Sequence, residues 1–547
     1  MSEPFFERLT ALDASFLGIE ADDTHMHVAS VSTLDARPLT RHDGGLDVER
    51  IHTAMHQMLA RNPRMRQKVW WPVGGPPVWI DDADFRLSYH VRHTALPLPG
   101  TMRQLKRLAG RVMSQTLDPR KPLWEIWLIE GLENERFAIM AKLHHCLADG
   151  IGARDILTGY LGTAPIEKVD PVPPWRARPA PTLAQIALAG VRQRGQKTRE
   201  LVGQAREILG VNDLRASLTD AAAGVLSAAS NAVGAVAPTP FNRAIGPHRR
   251  FDCTACGFDR VLAVRKAAGG KVNDVVLATV AAATRRFLLG RKLDVDSMDF
   301  RVMVPVNVRG DGPAGGGGNH VSNMTIPLPL YETDPRRRLM RIIETTARAK
   351  ASRQSRAGEL LAAAADWAGI IPPRGLAQRA AHQITANMVV TNVPGPLFPM
   401  FLLESRLLES FPLVPLAPEQ ALGIALYTYD KSLHWGFNAD WDVLPDVHDF
   451  ARAVDVEFEQ LVRAWEPIEV LTRTAASDVA PPPAAQTTDA TAGAERGETA
   501  QEGRTAEPVD RAAAQESSAR ASEAETTRGQ RQPRRPRRKP DASVADA

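Results

Sequence analysis

Phe137–Gly150 reads FAIMAKLHHCLADG, and the reading of its two halves decides the fold. Phe137 to Leu143 is a short apolar run with a single charge, which predicts a mostly buried strand. The next residues place two histidines, one cysteine and one aspartate together in a polar turn. Beyond it, Ile151, Ile156, Leu157, Tyr160 and Leu161 recur at helical spacing. Strand, turn and helix in that order lift side chains out of a core and hold them at its edge, where a general base belongs. A neutral imidazole, with an ordinary pKa of about 6.5, takes a proton near neutral pH. Asp149 lies four residues after His145, within reach of fixing the ring or the turn, and Gly150 permits a tight turn or close helix packing. On residue types alone, a pair of satisfied histidines near a strand end is the commoner meaning of such a dipeptide.

The surrounding residues change that balance. His144, His145, Asp149 and Gly150 spell HHxxxDG, which resembles the signature of the CoA-dependent acyltransferase superfamily, a group that includes chloramphenicol acetyltransferase and the condensation domains of peptide synthetases. The longer run from Pro122, PLWEIWLIEGLENERFAIMAKLHHCLADG, is similar to the bacterial wax ester synthase/diacylglycerol acyltransferase family. So, in order, are LTALDASFL from Leu9, KVNDVVLA from Lys271, MVPVNVR from Met303, GNHVSNM from Gly318 and TNVPGP from Thr391. Ordered motifs spread from Leu9 to Trp465 are far more specific than any one alone.

Composition bounds the alternatives. A chain of 547 residues has room for two to four domains, and a formal net charge of +4 is small for that length. Nothing at that level implies nucleic acid. Three cysteines argue against a disulfide framework and fit a reducing cytoplasm. The start, MSEPFFERLTALD, lacks the basic region and apolar core of a signal peptide. No apolar run is long enough to predict a spanning helix. A protein of this kind that handles lipids is expected to reach them from the surface, at the inner membrane or a lipid body.

Four segments are expected. Residues 1–164 form an N-terminal domain carrying HHxxxDG. Within it Leu9–Leu17 reads as a short helix, VASVSTL as a strand and Val48–Leu59 as a helix, while Trp70, Trp71 and Trp79 read as core or pocket wall. His25 and His27 share a strand face without a third ligand, so a structural role outweighs a metal role. Residues 165–247 form a helical connector opened by PVPPWRARPAPT, and its Ala-rich run from Asp220 is too weakly apolar for a confident membrane span. Residues 248–473 form a second domain. There Cys253 and Cys256 make a lone CxxC that cannot complete a four-cysteine zinc site, and no metal is expected. Val275–Leu289 reads as a helix that Asn273 or Asp274 caps. Val302–Val308 reads as a strand, Leu397–Leu416 as inner-face strand material or a lipid-facing lip, Leu422–Tyr429 with Ser432–Phe437 as a strand pair, and Val447–Trp465 as a closing helix. The Gly315–Gly318 run is not a phosphate loop, and no G-x-S-x-G elbow supports a serine hydrolase. Residues 474–547 contain no Leu, Ile, Phe, Met, Trp or Tyr and form a disordered tail, with seven basic residues between Arg528 and Lys539.

The fold class is therefore α/β with mixed sheets. The resemblance implies two chloramphenicol-acetyltransferase-like domains with the active-site channel at their interface. It also implies the roles: His145 as general base, with His144 supporting it, and Asp149 as an orienting residue paired with Arg309. Asn273 and Asp274, and the NVPGP turn with Asn392, Pro394 and Gly395, are expected along the channel. In that hairpin region the family usually has a Ser-Tyr pair with a nearby glycine, whereas Thr428, Tyr429 and Asp430 stand here. The implied reaction moves a long-chain acyl group from acyl-CoA to diacylglycerol, with fatty alcohols as a further acceptor class, and with no metal and no cofactor beyond the acyl-CoA substrate. Competing readings are a condensation-type transferase acting on other acceptors and a catalytically silent protein bound to lipid bodies.

Overall fold

The computed structural model describes residues 5–73, 76–147, 158–169, 172–186, 188–189, 236, 239–307, 321–351, 375, 378 and 386–466. Asp149, Gly150, Arg309, the predicted helix at Ile151, the Gly315–Gly318 run, the Ala-rich run and the tail lie outside these residues. The described residues all belong to one unit, Met1–Glu469.

The N-terminal half runs β1 (Glu7–Arg8), α1 (Ala11–Ile19), β2 (His27–Asp35), α2 (Val48–Arg61), β3 (Gln67–Trp70), β4 (Val78–Asp81), α3 (Leu87–His90), β5 (Val91–Ala95), α4 (Met102–Met113), β6 (Trp124–Leu132) and β7 (Arg136–His144). Capping side chains start the main helices: Thr10 accepts the Asp13 N–H at 3.0 Å, Asp47 accepts that of Arg50 at 3.1 Å, and Thr101 with Gln104 forms a capping box. α2 buries Ile51, Met55, Met58 and Leu59, the one-sided stripe of a helix lying on a core. Of the three tryptophans expected in core or pocket wall, Trp79 is buried, whereas Trp71 just past β3 is 55% exposed.

In the second half come β8 (Arg249–Gly257), α5 (Phe258–Ala268), α6 (Val272–Gly290), β9 (Phe300–Asn307), β10 (Val321–Leu328), α7 (Pro335–Ala351), β11 (Met388–Val393), β12 (Phe401–Leu402), β13 (Ser405–Leu413), β14 (Leu422–Tyr429), β15 (Ser432–Asp440) and α8 (Val447–Trp465). α6 starts earlier than the expected Val275. Its N-cap is Lys271, and Asp274 sits at the third helical position, accepting the Lys271 N–H at 2.7 Å.

Both large sheets are mixed. The first has the order β12-β13-β2-β7-β6-β5, parallel only between β5 and β6, and the second the order β10-β9-β11-β14-β15-β8, parallel between β9 and β11 and between β11 and β14. β7 is central and covered on both faces. Phe137, Ile139, Ala141 and Leu143 enter one apolar cluster, and Ala138 and Met140 the other. That explains an apolar run instead of an alternating one. Its one charge, Lys142, has a side chain with no exposed area. Its ammonium donates to Val112 O (2.9 Å) and Gln115 O (2.8 Å) at the C-terminal end of α4 and lies 2.7 Å from Glu125.

The second half also completes the first sheet. β13 pairs antiparallel with β2, from Leu407 opposite Leu34 to Leu413 opposite Ala29, and packs against β14 and β15 of the other sheet. At the crossing, a Cβ on Gly436 of β15 would lie 1.8 Å from Pro412 O, so only glycine fits. The Tyr429 hydroxyl accepts from the Met400 N–H at 3.0 Å and donates to Leu407 O at 2.9 Å, tying β14 to the same strands. Arg249 of β8, 2% exposed, donates to the backbone oxygens of Gly246, His248 and, across the halves, Asp23.

Candidate active site at the end of the central strand

β2 and β7 pair so that His27 stands opposite His144. One residue later the chain leaves the sheet. The His145 N–H is taken by Met26 O at 2.8 Å, and His145–Leu147 forms a single 3-10 turn. His144 Nδ1 accepts the Cys146 N–H at 3.1 Å, so a side chain closes the turn. An acceptor role at Nδ1 puts the proton of the neutral ring on Nε2. That atom faces the Glu20 carboxylate at 3.5 Å, and Nε2 of His27 faces the same carboxylate at 3.2 Å.

Glu20 thus bridges two fully buried imidazoles. Burial acts to raise its carboxyl pKa, but its contacts with His144 and His27 outweigh burial and hold it well below the usual carboxylate range. His27 is driven the other way. Burial pushes its ring down to about 3 against the pull of Glu20, so it is neutral at physiological pH. His25 stacks on His27 at 5.6 Å between centroids and places Nε2 2.9 Å from Asp22 O. These histidines, with Glu20, form a packed support beneath the turn. Among the described residues no group of three His, Cys, Asp or Glu side chains is placed to hold a metal ion.

His145 stands apart from that support. It is half-buried, and its ring lies against Phe16 of α1, 4.1 Å between centroids with the planes 31° apart. α1 is the LTALDASFL stretch, so a motif far away in sequence supplies the wall of the histidine. Cys146 is 2% exposed and burial pushes its thiol up, which makes it a poor nucleophile.

The second half brings together two further expected residues. Asn392, on β11, donates from Nδ2 to Asn273 Oδ1, in the first turn of α6, at 2.7 Å. Asn392 Oδ1 is itself buried without a hydrogen bond. Asp274, expected beside the channel, is instead 4% exposed. One oxygen takes the Lys271 N–H and the other the Thr346 hydroxyl at 2.7 Å, so it anchors α7 to the start of α6. Pro394 is exposed. Gly395 fits beneath β14 because a Cβ there would come within 2.2 Å of Thr428 O. Tyr429, from the hairpin that departs from the family pattern, has its hydroxyl committed to backbone groups as described above.

Sequence reading missed Glu20 and Phe16. No spacing marks Glu20, which ends α1; the register of β2 on β7 sets His27 beside His144, and the Glu20 carboxylate faces both rings.

The chain matches two family models: the wax ester synthase/diacylglycerol acyltransferase catalytic domain over residues 9–276 and the WS/DGAT C-terminal domain over residues 317–462. It is 31% identical over 475 residues to a probable diacylglycerol O-acyltransferase of Mycobacterium tuberculosis (strain ATCC 25618 / H37Rv), covering 83% of this chain and 95% of that protein. A putative diacylglycerol O-acyltransferase of the same strain is 30% identical over 470 residues, covering 83% and 90%. Among solved structures, a wax ester synthase/diacylglycerol acyltransferase from Marinobacter aquaeolei VT8 superposes with a TM-score of 0.58 at 25% identity, covering 84% of this chain and 99% of that one. A trichothecene 15-O-acetyltransferase from Fusarium sporotrichioides shares the fold, with a TM-score of 0.53 at 11% identity over 84% and 95% of the two chains.

Proposed function

Because the chain belongs to the wax ester synthase/diacylglycerol acyltransferase family, we propose that it moves a long-chain acyl group from acyl-CoA to the hydroxyl of diacylglycerol, with fatty alcohols as further acceptors. His145 is the general base. The observation that carries this role is the split between the two histidines. His144 is fully buried with Nδ1 bonded and Nε2 facing Glu20, whereas His145 is half-buried, just beyond the strand end, with an aromatic wall.

In the reaction, the imidazole nitrogen of His145 takes the acceptor hydroxyl proton while the oxygen attacks the thioester carbonyl. The tetrahedral intermediate collapses, the C–S bond breaks, and the imidazolium returns the proton to the CoA sulfur. The products are an ester and free CoA, and the enzyme is regenerated without a covalent intermediate, metal or cofactor. His144, His27 and Glu20 fix the turn that presents the base. Asp149 and Arg309, the pair that the family resemblance implies, lie outside the described residues. Asn273, Asn392, Pro394 and Gly395 border the channel.

No helix among the described residues is long and apolar enough to cross a membrane; in this reading the acceptor is met at a membrane or lipid-body surface. Exposed Leu397 and Phe398, directly after the NVPGP turn, suit an apolar lip. The basic run from Arg528 to Lys539 suits an anionic surface, each charge adding about 1 kcal/mol.

The test supplies long-chain acyl-CoA with diacylglycerol, with fatty alcohol, or with neither, and follows thiol release and lipid product. Thiol release should require an acceptor and match ester formed. His145→Ala should lower transfer by about 10²–10⁴-fold, the usual contribution of a positioned base, with an unchanged unfolding midpoint. Near-wild-type turnover by His145→Ala would remove the base, and full thiol release without acceptor would make the protein a thioesterase.

A further inference from the structure

The stretch Asn62–Lys68, NPRMRQK, carries three cations. Arg64 reaches Glu7 at 2.6 Å and Lys68 reaches Asp82 at 2.8 Å. Arg66, between them, is only 7% exposed. Asp81, the carboxylate whose charge it feels, is already taken. Arg178 holds both Asp81 oxygens at 2.9 Å and adds its backbone N–H at 3.0 Å, and Gln67 donates to the same carboxylate at 3.2 Å. Among the described residues no carboxylate lies within ion-pair distance of Arg66. A guanidinium does not shed its proton in a protein, and a buried cation without a counter-charge is costly. Such a cation, aimed into a cavity, points to an anion.

The cavity is present. A cleft of about 350 Å³ opens over Arg66, between α2, the Phe85–Leu87 segment and the strap Val172–Trp175, which is the size of a small-molecule site. Trp175 covers the face of the guanidinium, 5.2 Å to the ring centroid. A stacked guanidinium keeps the donors along its edge for an oxyanion. Arg66 and Leu87 form the floor, and His56 stands exposed at the rim. His56 and Arg66 line the same cleft, and the His56 ring is pushed below its ordinary range by partial burial and then by the charge of Arg66. The Thr53 hydroxyl donates to Glu49 O at 2.9 Å within its own helix and adds no donor.

We propose that this cleft binds a small phosphate monoester, its phosphate on the edge of Arg66 with His56 at the rim and its organic part against Phe85 and Trp175. A phosphate, which holds close to two negative charges at neutral pH, offsets Arg66 and favours protonation of the neighbouring His56 ring as it binds, which a carboxylate with one charge does less. The site shares no residue with the proposed acyl-transfer centre and stands independently of that reading.

Calorimetry on the full chain tests it with three probes: phenyl phosphate, benzoate and inorganic phosphate. Phenyl phosphate should bind saturably, inorganic phosphate should compete with it, and benzoate should bind at least about tenfold more weakly. Arg66→Gln should weaken phenyl phosphate by about tenfold or more, as the loss of a charge-assisted pair requires. His56→Gln, at an exposed helix position, should weaken phenyl phosphate severalfold and leave benzoate unaffected, which decides the matter even where Arg66→Gln does not fold. Equal binding of phenyl phosphate by wild type and the folded variants overturns the site. No saturation by phenyl phosphate up to about 10 mM does the same, and benzoate binding as tightly as phenyl phosphate overturns the phosphate assignment.

Discussion

At the end of β7 the backbone changes from extended to 3-10 between His144 and His145, and that change separates the two imidazoles. His144 continues the strand alternation inward, where its Nδ1 takes the Cys146 N–H. Replacing it by alanine removes that acceptor from a buried donor and one of the two imidazoles facing Glu20. A buried donor left unsatisfied costs about 1–3 kcal/mol, so His144→Ala should lower the urea-unfolding free energy by that amount. His144→Asn, whose Oδ1 can stand in for Nδ1, should recover part of the loss, while His145→Ala should move stability by less than about 1 kcal/mol. A His144→Ala protein as stable as wild type would show that the Glu20 cluster does not support the turn. The motif alone marked His145 as the reactive histidine. Glu20 was illegible because its partners are set by strand register, which a single sequence does not print.

Among the elements, those with strong local patterns were legible: the strand at Phe137, the hairpin strands around Asp430-Lys431 and the closing helix Val447–Trp465 all form. β13 was legible as strand material but not as part of the first sheet. Alternation along SRLLESFPL says that one face is buried, and nothing in it says which sheet supplies the neighbour. The choice is enforced at the crossing by Gly436, whose missing side chain leaves room for Pro412 O. Gly436→Ala should therefore force the two sheets apart locally and cost about 1–3 kcal/mol or more, as overpacking does. Gly290→Ala, at the last position of α6 where an added Cβ meets nothing within 4 Å, is the matched control. It should be neutral or gain up to about 1 kcal/mol. Equal unfolding midpoints for the two variants would mean that the crossing yields more easily than its geometry indicates.

For the whole molecule, periodicity gives strands mixed with helices, and the two-domain arrangement came from the family resemblance. The ties across the halves, Arg249 to Asp23 and β13 to β2, depend on contacts distant in sequence and carry no local signal. What the assembled molecule adds is a set of histidines sealed from water in both halves, and this gives it an acid limit. Burial pushes His27 to about 3, and His90 and His434 each to about 4. In the unfolded chain each titrates near pH 6.5. Below that pH the unfolded state binds protons that the folded state refuses, so stability is fully present above about pH 6.5 and falls as pH drops towards the folded values. Each ring contributes a slope of about 1.4 kcal/mol per pH unit, or about 2 kcal/mol between pH 6.5 and 5. Glu20, held low by its histidines, adds a second loss only below the ordinary carboxylate range near pH 4.5. Urea-unfolding free energies measured from pH 8 to pH 5 should be flat at first and then decline. His434→Gln should reduce the slope below pH 6.5 by about 1.4 kcal/mol per pH unit, since it deletes one of the three protons. An unchanged slope in that variant would mean that His434 already carries its proton in the folded protein, against its burial beside Phe411 and Tyr429.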